Sequence, residues 1–547
     1  MTNLENLLKD EKGLHESRRV ASRAFLLVSI LILLLAASLR IYHIAKRSLW
    51  LDEAIAANIS RGTLHETLTL TRGLHSAPIT DPLILYAIER VSSGPLAVRM
   101  PSLVASVLVV ILMLCFVTLP SIDYKTAGLA ALMLTVSAAQ IRYAQEVREY
   151  SLSVLYAGIL LYAYLSYVSK EDENHSPVLL YVILFFAPLV QYGLVLFSFG
   201  VLAALLILAF TGDQLGRRIA QVVVASSFLA LGGLLSFFLT LRYQWGDDAW
   251  YLKDYFWTPG MSVSHFILTN THHLITFLLP GLTAASISVF AILIYLVLSI
   301  RHRVVPPLVV LACTSCGIVL VCSLLHVYPY GGIRQCLFLA PVLCLLASES
   351  LVQVTNRIKG RTNVLAFFAI VSVVVISGAL QIRLLKPYAE VEDMQQILHS
   401  LQSRIEPGDA VYVYPGAVFA VDYYVKERDP RFEYGDYHQK APEKFLPEIQ
   451  AGLSPGTRRL WIVFSHIYRD EDQRIIHDLS ADWNVERVLT VTGSALYLAT
   501  RRPAVTDTSL QKPGSNAIEA SDGNPLPDHT HDSWWDWNLR NARQPAH

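Results

Sequence analysis

The sequence has few charged residues and no excess of either sign. Charged residues make up 16% of its 547 residues, and 44 Lys and Arg balance 44 Asp and Glu. Because no basic excess is available to neutralise phosphates, a nucleic acid is excluded as the main partner. Hydrophobic residues reach 53%, which excludes a disordered scaffold and exceeds what soluble domains usually contain.

Cysteines and clustered metal ligands are scarce as well. The six cysteines all fall within predicted membrane spans, which excludes a disulfide-stapled secreted module. Cys313 and Cys316 form a Cys-x-x-Cys pair, but in an apolar segment this pair favours packing over redox or metal chemistry. The histidines have no ligand-like context, so we predict no metal site and no firm cofactor, and we leave a divalent-cation requirement open. The histidines considered are His65, His75, His272 and His273.

Long apolar runs are what the sequence has in abundance. A bilayer core about 30 Å thick needs roughly 20 apolar residues per helix, and eleven runs predict a polytopic α-helical membrane protein. The predicted spans are Ala24–Ile44, Ala97–Leu119, Thr126–Arg142, Tyr150–Val168, Val178–Val190, Tyr192–Phe210, Ile219–Leu241, Leu279–Ile300, Pro306–Leu325, Arg334–Val352 and Asn363–Arg383.

The positions of Lys and Arg predict the orientation of these spans. With the N-terminus in the cytoplasm, basic residues such as Lys125, Arg217 and Arg301 fall in short inner loops, as the positive-inside rule requires. The first span is too long for a signal peptide and is followed by no cleavage site, so it is read as a retained anchor.

Composition divides the chain into four predicted regions. Residues 1–23 form a cytoplasmic segment, and residues 24–385 form the transmembrane domain with an outer loop at 45–96. Residues 386–500 alternate helical patterns with apolar strands such as AVYVY and LWIVF, which predicts a small exported C-terminal α/β domain. Residues 501–547 are rich in Pro, Gly, Ser and Asp and predict a disordered tail. Within the outer loop, Asp81–Val91 suits a helix lying along the membrane interface.

Ionisable and aromatic residues collect at the predicted outer ends of the spans, where a charge near a bilayer is a functional candidate. They occur in SLWLDEA after the first span, in AVRMPS at the second, in QEVREY between the third and fourth, and in YPYGGIR entering the tenth. The candidates are Asp52, Glu53, Arg99, Glu146, Arg148, Tyr150, Tyr328, Tyr330 and Arg334.

These residue types suit a reaction on a lipid-linked phosphate. A carboxylate can take a proton from an incoming hydroxyl or amine, and guanidinium groups can stabilise a departing phosphate. Neighbours on a helix do not share a face, so Asp52 and Glu53 cannot both point into one pocket. Structural roles remain alternatives: Asp52 and Glu53 can compensate a helix dipole, Arg99 and Arg334 can extend to the interface, and Arg148 can pair with Glu146 or Glu149.

The order and spacing of four motifs resemble the GT-C membrane glycosyltransferases. SLWLDEA, AVRMPSLVASVLVV, AGLAALMLTVSAAQIRYAQEVREYSL and YPYGGIRQCLFLAPVLCLL are most similar to the protein O-mannosyltransferase and aminoarabinose transferase superfamily, over roughly residues 20–385. Two places depart from that family: Ile79–Leu83 lacks a basic residue, and Gln191-Tyr192 stands where relatives often have His-Tyr.

The resemblance implies an inverting hexosyl- or pentosyltransferase of the bacterial inner membrane. Its donor would be a polyprenyl-phosphate sugar and its acceptor a lipid, glycan or protein at the outer face. Asp52 would be the general base with Glu53 in support, and Arg99, Arg148 and Arg334 would bind the donor phosphate. The remaining candidates Glu146, Tyr150, Tyr328 and Tyr330 would line the substrate pocket.

Two other classes of function compete with the enzyme. A transporter or lipid flippase requires ionisable residues near span midpoints and repeated halves, and the sequence has few such charges and no convincing repeat. A receptor would depend on its exported domain, so deleting that domain would abolish its function, whereas a transferase is expected to keep its catalytic centre.

Overall fold

The computed structural model describes residues 23–74, 77–169, 177–210, 215–244, 250–304, 306–425, 429–437, 444–468 and 470–502. The predicted tail beyond residue 502, His75 and nearly all of the predicted cytoplasmic segment lie outside the described residues.

The first 385 residues, where described, are built from helices. In chain order these are α1 (Arg23–Ile41), α2 (Leu51–Ile59), α3 (Leu64–Leu74), α4 (Thr80–Val91), α5 (Pro95–Cys115), α6 (Tyr124–Val136), α7 (Ala138–Tyr143), α8 (Tyr150–Val168), α9 (Val178–Val190), α10 (Gly193–Phe210), α11 (Leu215–Ser236), α12 (Arg242–Gln244), α13 (Val263–Leu278), α14 (Gly281–Arg301), α15 (Pro307–Leu324), α16 (Ala340–Asn356) and α17 (Arg361–Leu385). A π-helical turn at Phe237–Leu241 joins α11 to α12, and a 3₁₀ turn at Arg334–Leu339 leads into α16.

The protein is membrane-embedded, as its composition predicts, but the number of full-length spans differs from the prediction. Within the described residues, nine helices are long and apolar enough to cross a membrane. The other two predicted spans contain α6 and α9, which are apolar but have 13 residues each. That length is below the roughly 20 residues of a straight crossing. The eleven apolar runs are therefore all helical, and nine of them reach full length.

The third predicted span is interrupted at Ser137, between α6 and α7. A break inside an apolar layer leaves backbone groups that need partners. Arg40 of α1 is fully buried and donates to the carbonyl oxygens of Leu134 (3.0 Å) and Thr135 (3.3 Å) in the last turn of α6. On the other side of the break, the Ala138 amide donates to Gln381 Oε1 of α17 at 3.1 Å. Two side chains from distant helices thus satisfy the groups that the break exposes.

The C-terminal region forms a five-stranded sheet with helices, which confirms the predicted small α/β domain. The helices are α18 (Met394–Gln402), α19 (Val418–Tyr424), α20 (Phe445–Gly452) and α21 (Glu471–Leu479), and the strands are β1 (Ala410–Val413), β2 (Phe432–Tyr434), β3 (Arg459–Ser465), β4 (Trp483–Val491) and β5 (Ser494–Arg501). The strand order is β2-β1-β3-β5-β4. Strand β1 is parallel to β2 and β3, and β5 is antiparallel to β3 and β4.

The chain divides into two compact units whose boundary differs from the predicted one. The membrane unit takes in the described parts of Met1–Lys46 and His75–Ala389, and the C-terminal unit takes in those of Arg47–Leu74 and Glu390–His547. Helices α2 and α3, predicted to belong to the loop of the membrane domain, therefore group with the α/β domain. Every residue of α2 except Asp52 is buried, and a nine-residue helix that is buried on nearly all sides needs a surrounding core.

We expect replacement of Arg40 by Met to destabilise the protein by about 2–4 kcal/mol, because charged donors to buried carbonyls contribute about 1.5–3 kcal/mol each. Its thermal unfolding in detergent should occur at a lower temperature than that of the wild type. The control is Arg361→Met, since Arg361 is exposed at the start of α17. Equal melting temperatures for the two variants would contradict the role given to Arg40.

Candidate functional site

The C-terminal unit holds the helix that carries Asp52 and Glu53. The Ser48 amide donates to Glu390 Oε1 at 2.6 Å, and the Leu49 amide donates to Tyr424 Oη at 2.8 Å. At the other end of α2, the side-chain amide of Asn58 donates to the Phe419 carbonyl at 2.8 Å. Both ends of α2 are thus fixed by side chains and backbone of the α/β domain.

The two neighbouring carboxylates of α2 have different environments. Glu53 is fully buried, whereas Asp52 is partly exposed. This agrees with the helical geometry, which turns adjacent side chains to different faces. Because a group that exchanges a proton with an incoming acceptor must be reachable, Asp52 is the better candidate for a base and Glu53 is better suited to a supporting role.

One carboxylate, that of Glu392, connects three elements of this unit. Its Oε2 accepts from the Leu51 amide at the start of α2 (3.0 Å) and from Ser465 Oγ at the end of β3 (3.3 Å). Its Oε1 lies 2.7 Å from His466 Nδ1. Glu392 is 3% exposed. An anion at a helix N-terminus is stabilised by the helix dipole, so this carboxylate also favours the start of α2.

The carboxylates around His466 change the pKa of its imidazole. Burial alone would lower the pKa of His466, but the hydrogen bond and charge of Glu392, with a further contribution from the charge of Asp52, raise it above its ordinary value. The side chain of His466 is 38% exposed. His466 is therefore a titrating group that reaches solvent and responds to Asp52.

Glu392 and His466 lie at the end of the sheet where α/β folds commonly bind ligands. The chain leaves β1 for β2 on one side and returns to β3 on the other, so the strand order reverses between β1 and β3. His466 follows β3 directly. Gly416 follows β1, and a Cβ there would lie 2.6 Å from the Ser465 carbonyl oxygen and 2.7 Å from that of His466. The loops after the two strands are thus in close contact, and the segment that carries α2 is fixed beside them.

In the membrane unit, the helix that carries Arg99 is bonded to the segment that carries Arg148. Arg99 is fully buried on α5 and donates from Nη1 to the Ile44 carbonyl at 2.8 Å. One turn further along α5, Ser102 Oγ donates to the Arg148 carbonyl at 3.0 Å. Since residues three apart share a helix face, Arg99 faces the segment that carries Arg148.

Glu146 has a structural partner. It is 2% exposed, and its Oε1 pairs with Nε of Arg142 at 2.5 Å. Arg142 also donates to the Ala389 carbonyl at 2.9 Å, beyond the end of α17. The pair therefore joins the segment after α7 to the end of the membrane unit, and the carboxylate of Glu146 is bound by Arg142.

Arg334 and Tyr150 are in contact. The Arg334 guanidinium lies 5.5 Å from the centre of the Tyr150 ring, and Tyr143 packs edge-on against the same ring at 5.5 Å. The Tyr143 hydroxyl is close enough to Glu146 and Arg334 to interact with their charges. The described part of the membrane unit thus brings together Glu146, Tyr150 and Arg334 around Tyr143.

The YPYGGIR segment packs closely on α13. The Tyr330 hydroxyl shares a 2.9 Å hydrogen bond with Thr271. Gly331 has φ +147°, where a side chain is strained, and at Gly332 a Cβ would lie 2.7 Å from the His273 carbonyl oxygen. The two glycines are therefore required by backbone geometry and by close approach.

Tyr328 belongs to a polar group around Gln191. Its hydroxyl accepts from Gln191 Nε2 at 3.4 Å and donates to the Gln335 carbonyl at 2.9 Å. Gln191 Oε1 is buried and has no hydrogen-bond partner within the described ranges. The neighbouring Tyr192 hydroxyl bonds to Gln244 Oε1 at 2.7 Å. The Gln191-Tyr192 pair that departs from the family pattern thus remains a polar site.

The predicted site residues fall into two sets. Arg99, Arg148, Arg334, Glu146, Tyr150, Tyr328 and Tyr330 belong to the membrane unit, and Asp52 and Glu53 belong to the C-terminal unit. That the two sets act on one substrate stays a prediction. Sequence reasoning missed Glu392, His466, Arg142 and Tyr143. His466 carried one usable signal, because it directly follows the apolar strand LWIVFS and the carboxyl ends of parallel strands are common sites.

The fold is that of the GT-C glycosyltransferases, which confirms the resemblance at the level of fold. No family model and no curated protein matches the sequence, but solved structures do. ArnT from Cupriavidus metallidurans in the apo state aligns with a TM-score of 0.54 and 13% identity over 87% of this chain and 98% of that chain. The Archaeoglobus fulgidus oligosaccharyltransferase tethered to an acceptor peptide aligns with a TM-score of 0.52 and 10% identity, over 86% and 74%. The oligosaccharyltransferase AglB from Archaeoglobus fulgidus, in complex with an inhibitory peptide and a dolichol-phosphate, aligns with a TM-score of 0.50 and 9% identity over 89% of this chain and 75% of that chain.

We expect Glu392→Ala to loosen α2, because the substitution removes the acceptor of the buried Leu51 amide and also the partners of Ser465 Oγ and His466 Nδ1, of which Ser465 keeps its bond to Ser494. The loss should be about 2–3 kcal/mol. Hydrogen exchange of the amides of residues 51–59 in purified protein should become faster. Glu486→Ala is the control, since Glu486 is exposed on β4. Unchanged exchange in Glu392→Ala would show that α2 is held without Glu392.

Proposed function

We propose that the protein is a glycosyltransferase that moves a sugar from a polyprenyl-phosphate-linked donor to an acceptor at the outer face of a bacterial inner membrane. The observation that carries the proposal is that one helical unit of GT-C fold contains the fully buried Arg99 together with Arg148 and Arg334. Guanidinium groups inside a membrane protein are costly and mark sites for anions. A lipid phosphate is an anion that reaches such a site from the bilayer. Two solved structures of this fold support the proposal: ArnT, named as a transferase of aminoarabinose, and AglB with bound dolichol-phosphate.

The proposed reaction is one inverting displacement. The acceptor hydroxyl or amine loses its proton to the Asp52 carboxylate and attacks the anomeric carbon of the donor. The bond between that carbon and the phosphate oxygen breaks, and polyprenyl phosphate leaves with the electron pair. The leaving group is already acidic, so it needs stabilisation of its charge more than a proton.

The candidate residues divide this work between them. Arg99, Arg148 and Arg334 bind the phosphate, because planar guanidiniums pair bidentately with its oxygens. Tyr150 supports Arg334 through the contact of its ring. Glu53, which is fully buried, supports α2. Glu146, Tyr328 and Tyr330 position neighbouring groups around the substrate, and the sugar is a hexose or pentose.

The alternative of a transporter or flippase would use ionisable groups inside the spans. Two such groups are Arg40 and Glu349. Arg40 bonds to carbonyls at the break after α6, and Glu349 accepts from Thr126 Oγ1 at 3.2 Å and from Gln353 Nε2 at 2.9 Å. Both therefore have structural partners, which favours the enzyme. Substrate flux in sealed vesicles without transfer of sugar would support the alternative.

The C-terminal unit is essential under this proposal. The expectation that a transferase keeps its catalytic centre after deletion of the domain assumes that the helix bearing Asp52 is independent of the α/β domain. Because α2 is buried in the C-terminal unit and fixed by Glu390, Glu392 and Tyr424, removing the domain would also remove the support of the base. Deletion therefore no longer discriminates an enzyme from a receptor.

Asp52→Asn should lower kcat for sugar transfer by about 1,000-fold, within the range of a lost general base, while the protein stays folded and inserted. The assay follows label from a polyprenyl-phosphate sugar into cell-envelope glycans and glycoproteins by mass spectrometry. Glu486→Gln, an exposed carboxylate of the same unit, is the matched control. Full activity of Asp52→Asn would refute the assignment of the base.

Arg334→Gln should weaken use of the donor, because one charge-assisted contact to the phosphate is worth about 1.5–3 kcal/mol. We expect kcat/KM for the donor to fall by about 10- to 100-fold, and Arg334→Lys to recover part of the loss. Arg361→Gln, which changes an exposed arginine of α17, should leave kcat/KM unchanged. A purely structural Arg334 would instead lower stability without a selective effect on the donor.

A further inference from the structure

The reaction proposed above leaves a proton on the carboxyl group of Asp52. The polyprenyl phosphate that departs does not take this proton away. Asp52 must lose it before the next acceptor can be activated, and a second proton acceptor near α2 would speed this step. The C-terminal unit contains an unassigned titrating side chain in that neighbourhood, His466.

The position of His466 is fixed by the same carboxylate that fixes the start of α2. Glu392 accepts the Leu51 amide on Oε2 and meets His466 Nδ1 on Oε1. The two oxygens of one carboxylate are close together, so the imidazole lies beside the first turn of α2, where Asp52 follows Leu51. The charge of Asp52 acts on the imidazole, which agrees with this placement.

One nitrogen of the His466 ring is held by Glu392. Because Nδ1 is bound by Glu392, the other ring nitrogen, Nε2, remains to accept a proton, an arrangement in which a carboxylate fixes the tautomer and raises the basicity of the imidazole. His466 has φ +48°, a conformation that is uncommon for a non-glycine residue and is held here by the packing of the loop against Gly416. The exposed part of the ring opens a route to water.

We propose that His466 is a positioning residue of the transferase: oriented by Glu392, it accepts on Nε2 the proton that Asp52 takes from the acceptor, and it releases this proton to solvent. The inference rests on the proposed function. The proton moves from the acceptor to Asp52, then to neutral His466, and then to water, so each group returns to its starting state after one turnover.

The groups that act on the imidazole define its pH behaviour. They are Glu392, from the segment before α18, and Asp52, on α2. Glu471 of the nearby α21 bonds instead to the Tyr414 hydroxyl. The turn with Gly493 and Ser494 and the loop with Gly416 present uncharged residues to this region. Because the pKa of His466 is raised, the ring is protonated and unable to accept at acidic pH, and transfer should become faster as pH rises through that raised pKa.

The test uses His466→Asn in the full-length protein. Asparagine tolerates positive φ, and its side-chain amide can donate to Glu392 in place of Nδ1, so the variant keeps the structural bond and loses the titrating group. We expect kcat to fall by about 10- to 100-fold with the KM of the donor unchanged, and the pH dependence that belongs to the imidazole to disappear. Glu392→Gln should move that dependence to lower pH, because it removes the charge that raises the pKa of His466. Added imidazole should restore part of the activity of His466→Ala.

A second measurement separates this inference from the proposed function. Titration of His466, followed by NMR of the histidine-labelled protein, should give a lower pKa in Asp52→Asn than in the wild type, because the neighbouring negative charge is lost. An unchanged pKa, or His466→Asn with the kcat and pH profile of the wild type, would overturn the role of His466. If the titration shifts but the wild type transfers no sugar from any polyprenyl phosphate, the coupling stands and the proposed function is what fails.

Discussion

The C-terminal unit depends on the buried carboxylate of Glu392. A charge that is 3% exposed is stable in a protein interior only if hydrogen bonds replace its lost hydration. Glu392 obtains these bonds from the amide of Leu51, the hydroxyl of Ser465 and the imidazole of His466. The bonds also fix the protein around the carboxylate, because the first turn of α2 and the end of β3 are held in position by donating to Glu392. Two segments more than 300 residues apart along the chain, near positions 51 and 392, are joined in this way.

The apolar layer imposes the equivalent constraint on the membrane unit. The break at Ser137 would be unfavourable in lipid, since exposed carbonyls there have no water to bond. Arg40 and Gln381 supply the bonds from α1 and α17. Close packing completes the junction, because Gly378 of α17 lies so near Val136 that a Cβ would come within 2.7 Å of it. A short α6 is therefore a stable element rather than an incomplete span.

The sequence predicted the parts of the fold that depend on local pattern. Apolar runs located the nine helices that, within the described residues, are long and apolar enough to cross a membrane. Helix α21 was predicted at its observed bounds, Glu471–Leu479. The sequence analysis did not predict the break at Ser137. The residues that stabilise it, Arg40 and Gln381, are about 97 and 244 positions away, and the local sequence gives no sign of them. Helix α19 and strand β2 escaped because they are short, with seven and three residues. The burial of α2 in the C-terminal unit was not predicted either, because its partners are also distant in sequence: the Leu51 amide is bonded by Glu392, which follows the last membrane helix.

The sequence predicted which residue types form the candidate site, but it did not predict which residues contact each other there. Charges at predicted span ends drew attention to Arg99, Arg148 and Arg334, and the structure places Arg99 on the face of α5 that meets the Arg148 segment. The sequence alone allows Arg148 to pair with Glu146 or Glu149, and the fold pairs Glu146 with Arg142. For His466 the strand before it was visible in the sequence, but the carboxylates that give the imidazole its basicity come from residues 52 and 392, so its chemistry could not be inferred without the fold.

The two sets of candidate residues also occupy environments that suit opposite halves of the proposed reaction. A departing phosphate is best stabilised by guanidiniums in a medium of low dielectric constant, where each charge interaction is stronger than in water, and Arg99 is fully buried. A proton taken from the acceptor must instead end in water, and both Asp52 and His466 are partly exposed. A site that was buried throughout would retain the proton, and a site that was solvated throughout would bind the phosphate weakly. Under the proposed function, the buried Arg99 would stabilise the phosphate and the partly exposed Asp52 and His466 would pass the proton to water, so each group has the dielectric environment that its assigned chemistry needs.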